Sequence, residues 1–339
     1  VKTVVITGCA GLLGSHLSRH LLEKGYSVIG IDDLSGGYSD YLPNHSDFEF
    51  WPVDLAEGDA SKSLEHIFCD PRREIVACYH FAAYAAEGLS PFIRHFNYKN
   101  NVLASVNVIN VCINYNVKMI FTSSMAVYGN MEANSHMGFS ETQLPMPIDP
   151  YGVAKYAVEL DLKIAGEQHG LRYTIVRPHN VVGIYQNIWD KYRNVVGIFI
   201  RKVLDGEPLI IFGDGYQTRA FSDIKFYMDP FERMITEVDG ETLNIGADGV
   251  YTINELASVV QNVAWHNGYE CELDRGEARH EARHAHCDHA KAQRLLDFDD
   301  RTNVETLVDE MFKWALTQPK RETKQMKYEV SKGIYDYWK

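Results

Sequence analysis

Tyr151 and Lys155 stand one helical turn apart in Tyr-Gly-Val-Ala-Lys, directly after Pro150. Proline favours the first position of a helix, so Tyr151 falls in the opening turn, at the mouth of the protein rather than in its core. A free phenol ionises near about 10, and a neighbouring ammonium favours the phenolate. The pair is therefore suited to moving a proton near neutrality. A second constellation is Thr7-Gly8-Cys9-Ala10-Gly11-Leu12-Leu13-Gly14, which follows an apolar run. Glycines so spaced let the backbone turn tightly and approach a pyrophosphate, whose charge meets the start of the next helix at Leu12 and Leu13. A third is His280-Glu281-Ala282-Arg283-His284, followed by His286, Cys287 and His289. On a helix, His280 and His284 would share a face and bind zinc with Glu281 as base. The tandem Glu-Ala-Arg-His repeat and the lack of a clear third ligand weigh against that hydrolase reading.

The elements that must position these groups are legible as an alternation. Lys2 to Ile6 reads as a buried parallel strand, and Leu12, Leu13, Leu17, Leu21 and Leu22 as a helix face ending near Gly25. A second strand spans Ser27 to Ile31. Asp32 then falls just past it, where an acid takes the ribose hydroxyls and repels a 2′-phosphate, so NAD is preferred over NADP. Further strands are expected at Phe48–Val53, Val76–Phe81, Lys118–Ser123 and Tyr173–Arg177, with long helices at Phe96–Tyr115 and Tyr151–His169. This pattern predicts an α/β chain with a Rossmann-type doubly wound parallel sheet. Residues 1–179 form the NAD-binding unit, with a strand returning near 220–250. Residues 180–339 form a smaller, mostly helical substrate lobe interleaved with it. Ser124 lies on the carboxyl rim of the fifth strand, where such sheets bind ligands, with Ser123 as its competitor.

The chain of 339 residues carries a net charge of −13, which argues against nucleic acid or an anionic membrane as its main partner. It shows no apolar run of spanning length and no signal segment. Its six cysteines are scattered, as expected of reduced thiols in a cytoplasmic protein. The Asn44-His45-Ser46 sequon would go unused there.

The combined motifs resemble the extended short-chain dehydrogenase/reductase family, and within it the nucleotide-sugar epimerases. The resemblance rests on the glycine turn, Asp54-Leu55, His80-Phe81-Ala82-Ala83, Asn100-Asn101-Val102 and Thr122-Ser123-Ser124. It continues through Val127-Tyr128-Gly129, Tyr151-x-x-x-Lys155, Arg177-Pro178-His179-Asn180, Gly213-Asp214-Gly215 and Arg219-Ala220-Phe221. It implies a catalytic set of Ser124, Tyr151 and Lys155, with the spacing from Val127 selecting Ser124 over Ser123. Asp54 and Leu55 would line an adenine, and Ala82 and Asn101 the nicotinamide side. Asn180, Asn194, Arg219 and Arg279 would hold a nucleotide-diphosphate sugar, with Arg283 competing for the place of Arg279.

Within that family the dehydratases carry an acid pair after the catalytic Ser or Thr. Here the positions are Met125 and Ala126, which transfer no proton, so reversible oxidation at C4 and 4-epimerisation remain. A C4 dehydrogenase or a 4,6-dehydratase is the alternative, and a silent NAD-binding scaffold would need no such triad. Ala285, at the family's gating position, predicts room for a 2-acetamido sugar. The chain departs from the family at Ala85 and Ala86, where a lysine is common, and at Asp223-Ile224-Lys225 with Pro230. A homodimer through the two long helices is implied, and the aromatic tail (Tyr328, Ile334, Tyr335, Tyr337, Trp338) is expected to dock.

Overall fold

The computed structural model describes residues 1–130, 138–323 and 325–338. A seven-stranded parallel sheet runs through its centre. Its strands are β1 (Lys2–Thr7), β2 (Ser27–Asp32), β3 (Phe48–Pro52), β4 (Glu74–His80), β5 (Lys118–Thr122), β6 (Tyr173–Pro178) and β7 (Glu241–Ile245). The order is β7-β6-β5-β4-β1-β2-β3. The chain switches direction between β1 and β4, which pair with each other, and ligand crevices of doubly wound sheets open at such a point. β7 is the strand expected to return: it pairs with β6 from Glu241↔Thr174 to Ile245↔Pro178.

Side chains alternate between the two faces, so each strand feeds two cores. Val4 and Ile6 pack with Leu17 and Leu21 of helix α1 (Leu12–Glu23) and with Tyr227 and Phe231. Val5 points the other way, to Val108 and Cys112 of α3 (Ala104–Asn114) and Val158 and Leu162 of α4 (Pro150–His169). Helix α2 (Ala60–Phe68) closes that layer. All six cysteines are free, and Cys9, Cys78, Cys112 and Cys287 are buried. Among the described residues no helix is long and apolar enough to cross a membrane.

One long helix over 96–115 was expected, and the structure has a continuous helical run over 94–114 with a wider turn inside it. Arg94–Tyr98 is helical, Lys99–Leu103 is a π turn, and α3 begins at Ala104. The wide turn directs Asn101 inward, where its amide closes on the backbone of Tyr84 through N–H to Oδ1 (2.9 Å) and Nδ2 to O (3.1 Å). Pro230 falls inside Met228–Arg233 but in its first turn, where no helical N–H is lost.

Beyond β6 lies a second core of Val196, Phe199, Ile200, Leu256, Val260, Leu307 and Val308. Helices Val195–Asp205, Ile253–His266 and Val304–Leu316 supply it. Strand Leu209–Phe212 pairs with Leu273–Gly276, and Thr218–Ala220 pairs with both Val250–Thr252 and His284–Ala285.

Candidate active site

The carboxyl edge of the sheet opens into a cavity of about 800 Å³ that reaches from the glycine turn to the second core. At one wall, Gly8 has φ of +73°, and a Cβ there would sit 2.7 Å from the Ala82 nitrogen. A Cβ on Gly14 would come within 2.2 Å of the Gly8 carbonyl. Only glycine fits both places. Gly11 then caps α1 without a side-chain bond, leaving the first-turn amides of Leu12 and Leu13 open to the cavity. Asp32 closes β2 beside this turn, accepting from Ala10 N (3.0 Å) and Leu34 N (2.8 Å). Burial raises its carboxyl above the usual range.

Asp54 accepts from Ala56 N at 2.8 Å, and the buried Leu55 carbonyl accepts from Asn107 at 2.9 Å. Asp32, Asp54, Leu55, Ala82 and Asn101 stand behind the cavity lining rather than in it. Asn101 holds the Tyr84 backbone, and His80 bridges Thr7 (2.7 Å) and Ser105 (2.9 Å). Burial lowers the His80 ring to about 3, so it is neutral. Thr7 Oγ1 in turn accepts from Ala82 N at 3.2 Å, which ties the strap after β4 to the glycine turn.

Ser124, Tyr151 and Lys155, the triad expected from the resemblance, line the same cavity. Asp149 caps α4 by accepting from Gly152 N (2.9 Å), with Pro150 at the first position, and this sets Tyr151 at the cavity. Tyr151 N–H donates to Ser90 Oγ at 3.1 Å. Lys155, one turn on, donates to the Thr122 carbonyl at 2.8 Å, and its Nζ lies 5.8 Å from the Tyr151 ring centroid. Burial, with Glu87 adding to it, pushes the Tyr151 phenol well above 10, while the Ser124 hydroxyl favours its ionised form. Burial also drops Lys155 to about 7.

The two serines separate cleanly. Ser123 Oγ donates to Glu159 Oε1 at 2.5 Å, within a buried pair in which Arg177 Nη2 meets Glu159 Oε2 at 2.6 Å. Ser124 caps the short turn Met125–Tyr128, and its oxygen accepts from Ala126 N at 3.1 Å. Met125 and Ala126 bring no proton carrier to the cavity they line.

Of the residues expected on the ligand, Asn180 holds a φ of +39° and leaves its buried Nδ2 without a protein partner beside the cavity. Asn194 is committed to structure: it accepts from Val196 N at 3.1 Å and donates to the Val181 carbonyl at 3.1 Å. Arg219 lines the cavity but is paired with Glu281 at 2.7 Å. Arg279 also lines it, its guanidinium 3.6 Å from the Phe212 ring centroid and 4.7 Å from that of Tyr337. Arg283 pairs with Asp214 at 2.9 Å, exposed and off the lining, so Arg279 and not Arg283 lines the cavity. Ala285 is buried and lines the cavity, paired in register with Arg219.

The zinc-protease pattern fails on backbone geometry. Residues 277–283 form no helix and lead into the strand His284–Ala285, so His280 and His284 share no helical face. His284 instead meets Thr218 Oγ1 at 2.9 Å. Among the described residues the grouping able to hold a cation is His20, Asp229 and Glu232, remote from this cavity.

Sequence reasoning missed several lining residues. Asp149 carried a usable signal, an Asp-Pro step before a helix. Glu87 and Phe212 carried none. The tail docks as expected, with Ile334 and Trp338 packed against Leu89, Phe92 and Tyr192, and it also contributes Tyr335, Tyr337 and Trp338 to the cavity.

The comparisons agree with this geometry. Residues 4–246 match the model of the NAD dependent epimerase/dehydratase family. A UDP-glucose 4-epimerase of Halalkalibacterium halodurans is 27% identical over 334 residues, 93% of this chain and 96% of its own. The UDP-N-acetylglucosamine 4-epimerase of Methanobrevibacter ruminantium, solved with UDP-N-acetylmuramic acid, is 30% identical with a TM-score of 0.83, over 94% of this chain and 99% of that one. The UDP-glucuronic acid 4-epimerase of Bacillus cereus, solved with UDP-glucuronic acid and NAD, is 26% identical with a TM-score of 0.81, over 92% and 98%. Glycine cradle, Ser-Tyr-Lys wall and sheet order together place this chain in the NAD dependent epimerase/dehydratase family.

Proposed function

We propose that this protein is an NAD-dependent 4-epimerase of nucleotide-diphosphate hexoses, with UDP-sugars as the favoured class. The observation that carries the reading is that Ser124, Tyr151 and Lys155 line one cavity together with the glycine turn. Gly8, Gly11 and Gly14 would hold the pyrophosphate of NAD with Leu12 and Leu13, and Asp32 its ribose. Asp54 and Leu55 would stand beside the adenine, and Ala82 and Asn101 beside the nicotinamide. Bound there, NAD would supply the hydride acceptor for the hydrogen at sugar C4.

The protein's own groups handle the proton. Tyr151 Oη takes the C4 hydroxyl proton as the carbonyl forms, and gives it back when the sugar is reduced. With burial holding the phenol protonated in the free protein, a cationic neighbour is what brings it into range. Lys155, when protonated, would supply one such charge, and it is fixed in position through the Thr122 carbonyl. Ser124 orients the sugar hydroxyl toward the phenol. Asn180, Asn194, Arg219 and Arg279 are assigned to the nucleotide-diphosphate sugar. Asn180 has the free amide for it, whereas Asn194 would act by shaping the loop.

Met125 and Ala126 disfavour the 4,6-dehydratase alternative, because no acid stands there to expel a C6 hydroxyl. The small, buried Ala285 favours acceptance of a 2-acetamido group. A homodimer through the long helices is supported by Leu103, Val153, Leu160 and Ile164, which all lie exposed on them. A cytoplasmic location is supported by the free, buried thiols.

The test is incubation with UDP-glucose, UDP-N-acetylglucosamine and their GDP- and dTDP- counterparts without added NAD. A C4 epimer from a UDP-sugar is expected, with the acetamido sugar accepted. Stoichiometric 4-keto product formed only on adding NAD would make the protein a dehydrogenase, and a 4-keto-6-deoxy product a dehydratase.

A further inference from the structure

Glu87 has no role in the mechanism above, yet it lines the cavity with Tyr151. Its segment is bound to the catalytic helix. Ser90 Oγ donates to the Glu87 carbonyl at 2.8 Å, lies 3.4 Å from Asp149 Oδ1, and accepts the Tyr151 N–H at 3.1 Å. The Glu87 backbone is thereby tied to the start of that helix, and its exposed side chain lines the same cavity as the phenol. Among the described residues no hydrogen bond or ion pair reaches it.

The charges around it are mostly of its own sign. Asp149 and Glu281 line the same cavity and oppose it; Arg219 attracts it but is already held by Glu281 at 2.7 Å. Glu87 also works against the phenolate of Tyr151. An unpartnered carboxylate that hinders the base beside it is tolerable where the bound ligand supplies a hydrogen-bond donor to it.

We infer that Glu87 is a specificity-determining residue: it accepts a hydrogen bond from a neutral hydroxyl of the bound sugar and excludes sugars bearing a carboxylate there. Together with Asp149 it makes the sugar end of the cavity select neutral nucleotide hexoses, acetamido sugars included, over nucleotide uronates. Selection of this kind needs a repulsive element as well as an attractive one, and one carboxylate provides both. The inference rests on the epimerase reading for the sugar's placement, and the two fail in different ways.

The experiment measures dissociation constants by calorimetry and kcat/KM for UDP-glucose and UDP-glucuronate, with the intact protein, E87Q and E87A. Assays run at about pH 8.5, where a carboxyl group is ionised. The intact protein is expected to bind UDP-glucuronate about a hundredfold more weakly than UDP-glucose. E87Q, which keeps the shape and an acceptor, is expected to shrink that ratio at least about tenfold. E87A should shrink it too, while weakening UDP-glucose. Equal binding of the two ligands by the intact protein overturns the inference even if neither variant folds. An unchanged ratio in a folded E87Q overturns it as well. Epimerisation with an unchanged ratio removes Glu87 and keeps the epimerase; discrimination in binding with no epimer from any sugar does the reverse.

Discussion

The two ends of the cavity are built on opposite plans. The end proposed for the chemistry comes from short stretches of chain, residues 122–126 after β5 and residues 149–155 opening α4, held together by the buried Arg177–Glu159 pair. The far end is collected from strand Leu209–Phe212, the Arg219 strand, the loop at 279–281 and the tail at 333–338. Its contacts span the chain: Arg219 reaches Glu281 across 62 residues, and His280 N–H reaches the Tyr335 hydroxyl across 55. The difference teaches where rigidity and variation are located. Residues 122–126 and 149–155 are mounted on a sheet end and a capped helix, whereas the far end is assembled from separate strands, a loop and the tail.

The sharpest division of labour is expected from Tyr151→Phe. It should lower kcat about 10²–10⁴-fold, with the fold unchanged by circular dichroism. Next comes Arg177→Leu, which leaves Glu159 charged and buried. It should cost about 3–5 kcal/mol in denaturant unfolding, because a lone charge remains where a pair stood. Gly14→Ala pushes a methyl into the Gly8 carbonyl, and about 1–3 kcal/mol of stability with loss of NAD retention is expected, read by melting and by cofactor content. At the far end, Tyr337→Ala loosens Arg279, and the expected change is smaller and confined to KM. A rise of roughly fivefold, about 1 kcal/mol, with kcat intact would keep the two ends distinct. A large kcat loss there would merge them.

Burial holds His16 near about 4, and His80 and His179 near about 3, against an ordinary 6.5. As pH falls the unfolded chain takes up these protons first, so stability is full above 6.5 and falls steadily below it. Denaturation midpoints measured against pH should show that slope.

Legibility in the sequence follows the same division. The sheet strands could be read because parallel strands buried on both faces are apolar runs between turn residues, and each starts and ends within a few residues of its expected place. The glycine turn and Tyr151–Lys155 are local in sequence. The π turn at Lys99–Leu103 was hidden, since the apolar periodicity runs through it and the inward demand of Asn101 comes from Tyr84. The choice between Arg279 and Arg283 was hidden too. A tandem repeat offers two equal arginines, and only the aromatic tail and Asp214 tell them apart. The His280–His284 pattern misled because strand pairing with Thr218–Ala220 overrides a helical spacing. Glu87 gave no signal, being a single acid in an alanine-rich loop.

Deuterium placed at C4 of UDP-glucose tests the central claim most directly, followed by NMR and mass spectrometry of both epimers after equilibration without added NAD. If Ser124, Tyr151 and Lys155 serve oxidation and return of one hydrogen within a closed cavity, the label stays at C4 in both sugars. Label lost to solvent, or carried away in released reduced cofactor, would contradict it.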